Sequence, residues 1–202
     1  MIKTVTTTKY FLILIFLFQL SIYAEQPPSG RVSGLFMSFG VGPRFPVAEF
    51  SNTSNFGYGA DLELSYTDNE FLPVFLYAKI GFEQFLGSQS FYKGSDYSNY
   101  HINAIPVNIG ARYYFSPLLE NIILLMPIAQ ISATYCYSHT LNEFDKNSGK
   151  NNFSEDKQEF GFSAGAGFSM FMMELVASYN YLPEKQFVSL DLKVRIPLTI
   201  NF

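Results

Sequence analysis

The chain has 202 residues, of which 48% are apolar and 18% aromatic but only 15% charged. Soluble domains carry about 25% charge, so this composition is poor in charge for a surface in water, while its aromatic content excludes a disordered chain. A net charge of −4 argues against nucleic acid, which needs clustered Lys and Arg, and the single cysteine, Cys136, excludes a disulfide framework and a cysteine-based zinc site.

The first segment reads as an export signal. Lys3 and Lys9 sit in a polar start, an apolar run follows from Tyr10 to Leu20, and Ser21-Ile22-Tyr23-Ala24 offers a cleavage site. The run is too short to span a bilayer as a helix. The expected organisation is a cleaved signal peptide over 1–24, a short periplasmic segment over 25–33, and one domain over 34–202. No later apolar run is long enough for a transmembrane helix.

From Gly34 onward, apolar residues recur at every second position, the period of a strand. Eight such segments occur, near 35–42, 56–66, 74–83, 105–115, 129–137, 160–170, 174–181 and 188–202. In the second, Phe56, Tyr58, Ala60, Leu62, Leu64 and Tyr66 oppose Gly57, Gly59, Asp61, Glu63 and Ser65. In the sixth, Phe160, Phe162, Ala164, Ala166, Phe168 and Met170 oppose glycines and serines. Alternation alone does not say which face points outward, but volume does. An eight-stranded barrel has an interior only just wide enough for side chains. Small Gly and Ser belong inside it, and the bulky apolar face must meet lipid. The polar face also carries Asp61, Glu63, Glu83, Glu174 and Asp191 against Lys79, Arg112, Lys193 and Arg195. These are expected to pair in the lumen, since each basic group facing lipid at mid-bilayer would cost about 2–4 kcal/mol. The fold expected is therefore all-β: an eight-stranded antiparallel up-and-down transmembrane β-barrel.

Connections alternate between long and short. Loops over 43–55, 87–101, 138–158 and 182–186 are expected at the extracellular end, and turns near 67–70, 116–121 and 170–173 at the periplasmic end. Closure leaves no sheet edge in hydrocarbon. Pro106, Pro127 and Pro197 fall inside expected strands, where each removes a ladder donor and requires a bulge or an irregular end.

The last strand, alternating from Val188 to a terminal Phe202, resembles the C-terminal signature of bacterial outer-membrane barrels. Phe39-Gly40-Val41-Gly42-Pro43 and Phe56-Gly57-Tyr58-Gly59-Ala60 resemble the opening hairpin of OmpA/OmpX-type outer-membrane β-barrel domains, the small barrels often labelled a porin family. The resemblance covers about residues 34–202. It implies residence in the outer membrane among its lipids and insertion by the barrel-assembly machinery reading Phe202; a monomer acting without cofactor is expected. The family's periplasmic peptidoglycan-binding domain is not expected, because the eighth segment ends the sequence.

No catalytic residue and no metal site is assigned. His101 and His139, near the extracellular ends of the fourth and fifth strands, and Ser138 beside His139 offer the only hint of an outer-leaflet lipid-modifying enzyme; a triad needs contact among nucleophile, base and orienting acid. A narrow pore through the charged lumen is the other alternative. Gly40-Val41-Gly42 and Gly165-Ala166-Gly167 open no helix and so form no phosphate loop. Cys136 faces the lumen by parity. The surface hint is stronger: Phe91, Tyr92, Tyr97 and Tyr100 are interleaved with Ser, Gly and Asn, the mixture that binding loops use. The expected role is structural support of the envelope or display of loops, with loops 87–101 and 138–158 meeting an extracellular ligand or surface.

Overall fold

A computed structural model describes residues 33–68, 72–118 and 125–201. The export segment 1–24, nearly all of the short segment 25–33, parts of two short turns, and Phe202 lie outside the described residues.

Eight antiparallel strands close into a barrel in sequence order: β1 (Ser33–Val47), β2 (Ser54–Asp68), β3 (Leu72–Gly87), β4 (Tyr97–Tyr114), β5 (Leu125–Phe144), β6 (Phe153–Met170), β7 (Met173–Tyr181) and β8 (Gln186–Asn201). Two single-turn helices, α1 (Phe50–Thr53) and α2 (Gln89–Lys93), follow β1 and β3 at the same end. Closure pairs β1 with both neighbours, so that Met37 stands opposite Leu64 and Ile196. Every strand thus finds both hydrogen-bonding partners over its central part.

The alternation resolves as volume dictates. Leu62, Leu64, Ile80, Ile109, Ile131 and Leu192 point outward and are exposed. Tyr58, Phe82, Phe160 and Tyr181 ring this band at the loop end, and Tyr66, Phe115, Phe168 and Phe171 ring it at the other. Among the described residues, no outward position between the two rings is charged. From Phe56 to Tyr66, ten strand steps tilted at about 40° give a band about 25 Å tall, the height of the lipid-facing band of outer-membrane barrels.

The three prolines are accommodated separately. Pro197 lies at a β-bulge where the β1–β8 register shifts between Leu35 and Phe36. At Pro106, bridges to β3 are missing between Val107 and Ala104, while the pairing with Cys136 of β5 is kept. Pro127 sits near the start of β5, where its carbonyl accepts the Phe115 amide at 2.9 Å.

The long loops are shorter than expected. The segment 43–55 shrinks to 48–53, 87–101 to 88–96, and 138–158 to 145–152, because the strands continue past the apolar band. Above the band both faces meet water or the mouth, so backbone pairing persists while the apolar alternation that reveals a strand fades. The β5–β6 ladder runs on through Asn142↔Phe153.

Candidate functional site

The lumen is filled in layers. Nearest the short turns, Glu174 accepts from the Tyr114 hydroxyl at 2.7 Å and pairs with Arg195 at 2.8 Å. The Arg195 guanidinium lies over the rings of Phe36, Phe75 and Tyr114. Above it, Arg112 is fully buried between Glu63 at 2.8 Å and Glu174 at 3.0 Å, and its Nε donates to Gln130 at 2.9 Å. Lys193 also pairs with Glu63, at 2.7 Å. Asp61 is held only by longer ion pairs, to Lys193 at 3.7 Å and Lys79 at 3.9 Å, with no hydrogen bond to either oxygen. The next layer is Arg44 between Asp191 at 2.6 Å and Glu83 at 2.9 Å. Gly59 leaves it room, since a Cβ there would lie 2.7 Å from the guanidinium. Lys185 pairs with Glu159 above these.

Among the described residues, six acids (Asp61, Glu63, Glu83, Glu159, Glu174, Asp191) thus pair with six bases (Arg44, Lys79, Arg112, Lys185, Lys193, Arg195), and the formal charges of these twelve cancel. Sequence reasoning omitted Arg44, Glu159 and Lys185, because all three fell in or beside stretches read as loops. Extending strand parity by two residues would have placed Arg44 and Glu159 inside.

A purely polar lumen is not what forms. Phe50, Phe85, Ile102, Leu182 and Phe187 make an apolar layer toward the loop end, with Ala104 and the free thiol of Cys136 beside them. Phe85 packs edge-on against Phe50 and Phe187, with ring centroids 5.0 and 5.2 Å apart. Phe50 comes from α1, which folds inward over the barrel.

Above this layer opens a cavity of about 650 Å³, bounded by both helices, the inner faces of β4–β6 and the β7–β8 turn. Of the aromatic residues singled out in the β3–β4 loop, Phe91, Tyr97 and Tyr100 line it. The Phe91 ring lies 4.9 Å from Tyr97 and 5.2 Å from Tyr100. Tyr92 does not line it. Its hydroxyl donates to the Tyr100 carbonyl and accepts from the Tyr100 amide, both at 2.9 Å, latching α2 onto β4. Ser88 caps α2 by accepting from the Phe91 amide at 3.1 Å. On the facing wall Lys157 pairs with Glu184 at 2.6 Å and Glu155 at 3.5 Å. The hydrogen bond from Lys157 holds the Glu184 carboxyl below its ordinary range.

The histidines are not brought together as a site. His101 stands opposite Leu141, and His139 opposite Asn103, two positions apart in the same ladder. His139 Nδ1 lies 2.6 Å from Asp156 on the outer surface, whereas Ser138 is wholly buried on the opposite face. The sequence neighbours therefore cannot act as nucleophile and base. Among the described residues, no three His, Cys, Asp or Glu side chains converge to hold a metal ion.

No known protein family's sequence profile matches the chain, and no curated protein matches it. Solved structures do. Neisserial surface protein A is 13% identical at TM-score 0.45, with 82% of this chain and 97% of that one covered. The attachment invasion locus protein of Yersinia pestis, solved with the heparin analogue sucrose octasulfate, is 13% identical at TM-score 0.44, covering 82% and 99%. A major outer membrane protein from Thermus thermophilus is 10% identical at TM-score 0.50, covering 82% and 99%. At such identities the likeness is one of fold, and the last of the three carries it. The chain has the fold of an outer-membrane β-barrel, in the eight-stranded OmpA/OmpX-type architecture.

Proposed function

We propose that this protein is a monomeric barrel of the bacterial outer membrane, with a closed lumen and a mouth that recognises a ligand or surface outside the cell. The apolar band supports the location, because an uncharged belt of this height is a surface for acyl chains rather than for water. Insertion by the barrel-assembly machinery after export completes this reading. The observation that carries the function is the placement of an open aromatic cavity above a lumen sealed twice, by paired charges and by the Phe50–Phe85–Phe187 layer.

A sealed lumen of eight strands favours recognition over conduction. Catalysis finds no support in the pair Ser138 and His139, which face opposite sides of β5. An anionic glycan such as the sucrose octasulfate bound by the Yersinia pestis protein is disfavoured here by the carboxylates at the mouth.

Two measurements test the reading. Refolded protein in planar bilayers is expected to show no steady conductance; a sizeable one would replace recognition by transport. Exchanging residues 89–95 for a Gly/Ser linker is expected to abolish binding of cells to their target surface while leaving the barrel folded. Unchanged binding would remove the recognition role and leave only a structural one.

A further inference from the structure

We infer that the mouth cavity binds a small organic cation, an amine or quaternary ammonium group. The inference rests on the recognition reading above and names its ligand class. At about 650 Å³ the cavity has the size of a small-molecule site. Its floor is apolar, built from Phe50 and Ile102, and one wall is the cluster of Phe91, Tyr97 and Tyr100. The faces of such rings are negative and attract a cation within about 6 Å of the centroid.

The rest of the lining is unbalanced in the same direction. Glu49, Glu155 and Glu184 line the cavity against Lys157 and Lys185. Lys185 is already neutralised by Glu159, and Lys157 is shared between two carboxylates. Glu49 forms no ion pair among the described residues. An acidic surplus therefore faces the aromatic wall. A neutral apolar guest would desolvate those carboxylates without compensation, and an anion would be repelled by both walls.

A neighbouring ring already accepts a cation. Lys150 Nζ lies over Phe144 at 5.3 Å from the centroid, and Phe144 packs on Tyr97 at 4.4 Å. The ammonium, paired with Asp96 at 2.8 Å, thus sits on a ring next to the cavity wall rather than on the wall itself.

The test uses the full mature chain refolded in detergent and titrated with choline, followed by calorimetry and by tyrosine fluorescence, which the absence of tryptophan makes readable. Saturable binding is expected, with the neutral isostere 3,3-dimethylbutanol at least about tenfold weaker. Tyr97→Leu and the double variant Glu49→Gln/Glu184→Gln should each weaken choline about tenfold, with Lys146→Ala as the unaffected control and circular dichroism confirming the strands. Phosphatidylcholine vesicles form a second arm, since binding of these alone would assign the same ammonium to a lipid headgroup instead of a free solute. Equal affinity for the isostere, or competition by sucrose octasulfate, would overturn the cation assignment while leaving the mouth as a recognition site. No saturable binding of choline, vesicles, isostere or anion at millimolar concentration would overturn both.

Discussion

The two halves of the interior are filled by opposite means. Below, Arg112, Arg44 and Lys193 reach across from different strands, and each buried cation meets two carboxylates. Above, the Phe50–Phe85–Phe187 layer packs without charge, and beyond it the side chains leave space. The lower half ties neighbouring strands together by interactions that fail if one partner is lost. The upper half is a floor, a wall and a void, with one buried ion pair, Lys185–Glu159, beside the floor and the others at the rim. A charged plug and an aromatic cavity thus occupy separate parts of one small barrel.

The comparison can be broken most severely at Arg112. Arg112→Ala would leave Glu63 and Glu174 facing each other without their shared counter-charge, a loss of about 3–5 kcal/mol readable as a lower urea midpoint of the refolded barrel. A loss below about 1 kcal/mol would mean that solvent screens this layer as it screens surface pairs. Phe85→Ala attacks the other half. It should cost about 3 kcal/mol through the cavity it leaves and produce current fluctuations in bilayers where the parent is silent. Tyr92→Phe removes both hydrogen bonds that latch α2, and should cost about 1–2 kcal/mol, seen as faster proteolysis within residues 88–96. Combining Arg112→Ala with Phe85→Ala sharpens the division: additivity within about 0.5 kcal/mol marks independent regions, and a larger coupling would merge them. Lys150→Ala, which removes an exposed pair with Asp96 and the contact on Phe144, should leave the urea midpoint unchanged.

Much of the barrel is legible in the sequence because lipid imposes a strict rule. Residues such as Leu62, Ile80 and Leu192 had to be apolar, and their partners Asp61, Lys79 and Lys193 had to be small or paired. That rule lapses above the band. His139 to Phe144 continues β5 with polar residues on both faces, so the strand is real but its alternation is silent. For this reason Glu159 and Arg44 were missed, and the loop over 138–158 was drawn too long. The inward turn of Phe85 and Phe187 follows from the parity of Glu83 and Ser189, which lie two positions away. The cavity has no such local trace: it arises from α1, α2, β4–β6 and the β7–β8 turn meeting in space. The aromatic-rich loop signalled three of its lining residues, Phe91, Tyr97 and Tyr100, but did not reveal Tyr92 as a latch.

The rim of the barrel is lopsided. The β6–β7 ladder ends at Phe162↔Tyr181, whereas β6 rises nine residues further beside β5, on the order of 20 Å for tilted strands. The wall of the mouth is therefore lowest at the β7–β8 turn, where Glu184 stands. On the recognition reading proposed above, the lowest approach to the cavity passes over that turn.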